Sequence, residues 1–169
     1  LGQVDWTLDP LPLTSGALRA KLSLSGGDVR GDIVMRVASN ARRIQTDSLR
    51  IEGVLSPTGT PMAGMLLLRD LDITFENGLC TSATGTAESD ILARNAAVLG
   101  FTGPPLRGVA HCAGESAIIP LSEPTGAIQV EIALRQAGDA AWRVSKKSAS
   151  SGGAVDASEI PMEITGGLR

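Results

Sequence analysis

Apolar and polar side chains alternate along most of this chain with a period near two. Leu18-Arg19-Ala20-Lys21-Leu22-Ser23-Leu24 alternates strictly. Successive side chains of a strand point to opposite faces, so this segment predicts a half-buried strand. From Val29 to Val37, Val29, Gly31, Ile33, Met35 and Val37 take one face and Arg30, Asp32 and Arg36 the other. Ser25-Gly26-Gly27-Asp28 between the two segments suits a hairpin turn. Leu49, Ile51, Gly53 and Leu55 then alternate with Arg50 and Glu52. Past a turn at Pro57-Thr58-Gly59-Thr60-Pro61, the longest strand is expected from about Met62 to Phe75. Along it, Leu67, Leu71, Ile73 and Phe75 are set against Asp70, Asp72 and Thr74. Asn77-Gly78 marks a tight turn into a strand carrying Cys80. Leu106 to Ala113 and Ile128 to Leu134 add strands, and Trp142-Arg143-Val144 a short one.

Wet-on-one-face alternation with short turns belongs to antiparallel sheets. The expected fold is all-β, an elongated twisted antiparallel sheet or an open β-sandwich with one short helix. That helix follows Ser89-Asp90 and runs over Ile91 to Leu99. Ser89 is the expected N-cap, Leu92, Ala96 and Leu99 share a face, and Gly100 is the stop. The composition changes at Ser148-Ala149-Ser150-Ser151-Gly152-Gly153. Residues 1–147 are therefore read as a β domain and 148–169 as a flexible Ser/Gly-rich segment. Ile160 to Ile164 could return as an edge strand, the one strand position that suits Pro161.

Composition narrows the function. The chain has no tyrosine, and Trp6, Trp142, Phe75 and Phe101 are its only aromatic side chains. Bases and sugars are held by stacking on rings. With a net charge of -3 and no dense basic run, a nucleic-acid partner is excluded. The longest apolar run, Met65-Leu66-Leu67-Leu68, is strand-sized. No stretch of about 18 apolar residues spans a bilayer. Either the protein is soluble, or the sequence begins after a removed anchor or signal, and a start at Leu1 favours the second reading.

Candidate chemistry is sparse. His111 adjoins Cys112, but neighbours on a strand diverge, which leaves a solvent-facing histidine beside a structural cysteine. Cys80 and Cys112 form a disulfide if the domain is periplasmic or extracellular; two buried free thiols are the other reading. Asp70, Asp72 and Glu76 share a strand parity that could serve acid–base chemistry, as in a glycan-acting enzyme, or calcium binding, although no EF-hand loop accompanies them and alternation explains them as a wet face. Arg30-Gly31-Asp32 spells an adhesion tripeptide, but inside a predicted strand rather than a loop. No nucleophile elbow, phosphate loop or histidine-rich metal set occurs. Catalytic, cofactor-binding and metal residues are all read as none.

Val4-Asp5-Trp6-Thr7-Leu8-Asp9-Pro10-Leu11-Pro12-Leu13, then Gly16-Ala17-Leu18, then Val29-Arg30-Gly31, resembles the periplasmic part of type II secretion system protein N. The Asn95-Ala96-Ala97 region, Gly103-Pro104-Pro105-Leu106-Arg107-Gly108 and the cysteine pair are compatible with it. The resemblance implies a non-catalytic scaffold at the periplasmic face of the bacterial inner membrane, anchored by an N-terminal helix that this sequence lacks. It also implies other secretion components as partners. Recognition is expected through exposed strand edges or the wet sheet face, with Leu18–Leu24 and Ile128–Leu134 as candidate edges and homodimerisation by edge pairing open. The alternative is a lipid-handling envelope protein whose curved sheet forms an apolar groove.

Overall fold

The computed structural model describes residues 2–9, 16–55, 62–99 and 103–146. Among them, antiparallel strands form one open sheet: β1 (Gln3–Asp9), β2 (Ala17–Ser25), β3 (Val29–Ala38), β4 (Ala41–Leu55), β5 (Met62–Glu76), β6 (Leu79–Ser89), β7 (Leu106–Val109), β8 (His111–Ala113), β9 (Ser116–Ser122), β10 (Ile128–Arg135) and β11 (Ala140–Lys146). The order is β1-β2-β3-β4-β5-β6-β7-β9-β10-β11, with β8 paired beside β9. The all-β expectation holds, and the single open sheet decides between its two forms. Segment 148–169 and the turn at Pro57–Pro61 lie outside the described residues.

Two expected edges are corrected. Leu18–Leu24 lies in β2, between β1 and β3, and Ile128–Leu134 lies in β10, between β9 and β11. The true ends of the described sheet are β1 and β11.

One side of the sheet is a continuous apolar face. Cross-strand pairs carry it from Trp6–Leu22 and Leu22–Ile33 through Leu49–Leu68 and Ile73–Ala83 to Ile132–Ile119. Its centre is sealed: Ile73, Phe75, Leu106, Ile119 and Leu121 are fully buried. The seal comes from curling. Arg42 on β4 donates a hydrogen bond to the Gln136 carbonyl, in the turn after β10. In a flat sheet those strands, five steps apart, would stand about 24 Å from one another.

The curl coincides with a line of irregular pairing across the middle strands. Between Gly31 and Val34, β3 advances three residues while β4 passes four, from Leu49 to Gln45. Between Arg69 and Asp72, β5 passes three residues against two on β6. The extra β5 residue is taken up at Asp70, whose φ is 51°. Such bulges kink a strand and increase its twist. They also switch the parity of the buried side chains. Leu66 and Leu68 are buried before the bulge, and Leu71, Ile73 and Phe75 after it. Leu67, expected on the inner face with Leu71, therefore points to the other side.

The helix comes in two single turns, α1 (Ile91–Arg94) and α2 (Ala96–Leu99). Asp90, not Ser89, holds the N-cap position. Ser89 ends β6, and its hydroxyl still accepts from the Ile91 amide at 3.4 Å. Asn95 stands between the two turns at the end of α1, and its side chain binds both α1 and β5. It accepts from the Ala63 amide at 3.1 Å and donates to the carbonyls of Ala63 and Ile91, each at 2.6 Å. Asp90 accepts from the Met65 amide at 2.8 Å. Together they dock α1 over Gly64, where an added Cβ would stand 3.2 Å from the Ile91 side chain.

Candidate interaction surface

The residues singled out for chemistry are placed in structural roles. Cys80 and Cys112 form a disulfide with Cα atoms 5.4 Å apart. Cys80 faces inward because β6 carries an extra residue between Ser82 and Cys80, opposite Thr74 and Phe75. No thiol remains to pair with His111, which is exposed beside the bridge. The Arg30-Gly31-Asp32 tripeptide sits inside β3, paired to β2 at Gly31 and Asp32 and to β4 at Arg30 and Gly31.

The carboxylates do not converge. Asp70 occupies the bulge, and Glu76 ends β5 opposite Leu79. Asp72 accepts from Arg43 Nε at 2.8 Å and from Gln45 Nε2 at 3.0 Å. The hydrogen-bonded Arg43 guanidinium holds the Asp72 carboxyl below its ordinary range, against a smaller opposing effect of burial. That stabilises the anion and disfavours the protonated form a general acid needs. No group of metal-ligating side chains occurs among the described residues.

The polar face carries an open depression of about 390 Å³. Leu67 and Val109 form its apolar part, and Arg69, Thr86, Glu88 and Arg107 its polar part. Arg107 and Glu88 pair across it at 3.3 Å. An exposed pair of this kind contributes about 0–1 kcal/mol. The depression is thus a shallow, mixed surface, on the side opposite the apolar face.

β1 has the stronger signature of contact. Val4, Trp6 and Leu8 lie on the apolar face but remain 55%, 66% and 48% exposed. Large apolar side chains grouped in this way mark interaction surfaces. Their backbone pairs with β2 on one side, in unbroken register from Gln3–Ser25 to Asp9–Arg19. Among the described residues no strand lies on the other side. Sequence reasoning missed this strand, although Gln3 to Asp9 alternates as strictly as Leu18 to Leu24; its place at the edge comes from the pairing order alone.

Comparison with known proteins adds the family. The family model described as type II secretion system (T2SS), protein N matches residues 1–166. No curated protein and no solved structure matches the chain. With nearly its whole length matched, the chain belongs to the type II secretion system protein N family.

Proposed function

We propose that this domain is a non-catalytic, protein-binding scaffold of a type II secretion system. In this reading it stands at the periplasmic face of the inner membrane, held by a helix preceding this sequence. Family membership makes the chain a component of the secretion machinery of the cell envelope. The observation that carries the scaffold role is the exposed edge strand β1, with Val4, Trp6 and Leu8 uncovered. An open edge and an apolar stripe are what strand-addition recognition uses. The disulfide supports an oxidising compartment, where such bridges persist.

The test is deletion of the gene in its source bacterium, with secreted proteins and outer-membrane permeability scored together. Loss of secreted proteins behind an intact envelope, restored by the membrane-anchored protein, is the expected result. Normal secretion with a leaky envelope would overturn it in favour of lipid handling.

A further inference from the structure

Edge strands of natural sheets are blunted by charged side chains, above all lysine, and by proline, bulges or short length. Of these devices β1 has only its acidic side chains, Asp5 and Asp9. Gln3 to Asp9 contains no lysine or proline, and its register with β2 has no shift.

The chain supplies its own example in β2. Opposite Val4, Trp6 and Leu8 it sets Leu24, Leu22 and Ala20. Opposite Asp5, Thr7 and Asp9 it sets Ser23, Lys21 and Arg19. Side chains of β1 stand above and below the sheet, so a strand on its other side meets the same two rows. Aliphatic side chains would extend the apolar face over Trp6, and basic or hydroxyl side chains would meet the acidic row.

Two occupants from within the chain fit poorly. An antiparallel pair of β1 strands centred on Trp6 sets Asp5 diagonally against Asp5 and Asp9 of the other copy, about 7–8 Å away. Shifting that register by two residues brings carboxylates directly opposite one another, which is destabilising. Residues 154–166 carry Asp156, Glu159 and Glu163 with no lysine or arginine, the same sign of charge as β1.

We propose that the free edge of β1 binds, by strand addition, an extended segment of another secretion-machine protein whose side chains alternate between aliphatic and basic. This rests on the scaffold reading and gives it a site and a partner chemistry. Trp6 is the anchor, and Asp5 selects the charge.

The probe is a labelled peptide of the β2 sequence, Ala-Leu-Arg-Ala-Lys-Leu-Ser-Leu-Ser, beside a version with glutamate at both basic positions. Binding to the full chain is read by fluorescence anisotropy at low salt. The basic peptide is expected to bind and the acidic one to fail. Asp5→Lys should weaken the basic peptide at least tenfold and reverse the preference. Trp6→Ser should weaken both, whereas Val109→Ser, an exposed apolar site on the other face, should change neither. Equal binding by all variants, or no binding, overturns the proposal. Self-association abolished by Asp5→Lys would give the edge to a second copy and also overturn it.

In cells, Trp6→Ser and Asp5→Lys in the anchored protein should lower secretion at normal protein levels. Full secretion by variants that no longer bind peptide sinks the β1 site alone. The scaffold reading fails separately, if deleting the gene leaves secretion intact.

Discussion

Cys80 and Cys112 show what one residue pair can and cannot tell in advance. Their number and separation allowed a bridge, but the inward turn of Cys80 depends on the extra residue in β6. The bridge ties β6 to β8 through cysteines 32 positions apart in sequence. Closing a loop of that length restricts the unfolded chain by about 3–4 kcal/mol. Replacing both cysteines by serine should lower the unfolding free energy by about that much in urea titrations. Reduction of the wild type should give the same loss, and an unchanged midpoint would show that the bridge is dispensable. Asp72 teaches the same lesson for function. The sequence offered it as one of a carboxylate set, and only the fold brought Arg43 and Gln45 to its oxygens. Trp6 was visible from the start as part of a family-like motif, but its exposure was not.

At the scale of elements, period-two alternation found strands wherever one face is wet and failed where that condition lapses. β9 reads Ser116-Ala117-Ile118-Ile119-Pro120-Leu121-Ser122, and Ile118 and Ile119 are both buried although they point to opposite faces. A strand covered on both sides shows no alternation. Pro120 disguises it further; it stands between the residues paired with β8 and the Ser122 contact with β7. The first half of β4, Ala41 to Ser48, hides for the opposite reason. Only Ile44 is a large apolar residue there, so the segment looks like a loop. The expected Leu106–Ala113 strand divides at Ala110, whose amide leaves the ladder to bond the Gly85 carbonyl at 3.0 Å. Gly85 is where the kink can be tested. Its φ is +118°, and an added Cβ would lie 2.7 Å from the Leu71 Cα and 2.8 Å from the Asp70 carbonyl oxygen. Gly85→Ala should therefore cost more than about 2 kcal/mol, by conformation and collision together. Gly114, with φ +59° in open space, meets only the conformational cost, and Gly114→Ala should cost about 1 kcal/mol. Equal losses in paired denaturation curves would rule out a close-packed bulge line.

Across the whole molecule, stability should be graded from the middle of the sheet outward. β5 is paired on both sides along most of its length and holds Ile73 and Phe75, both fully buried. Among the described residues β1 is held from one side only, and it is exposed over most of its length. Amide exchange tracks local opening, so β4 to β6 should exchange slowest and β1 fastest in a mass-spectrometric time course. Uniform protection would show that β1 is covered and would remove the basis for an open edge. Side-chain periodicity alone established the class of fold and most of the strand positions, and the N-terminal motifs around Trp6 pointed to the family. Periodicity and short motifs are local properties of the chain. Tertiary structure alone decided which strands are edges, where the buried face changes parity, and which side chains meet across the curl. Pairing order and bulges arise from contacts between distant segments, and no local pattern in the chain encodes them.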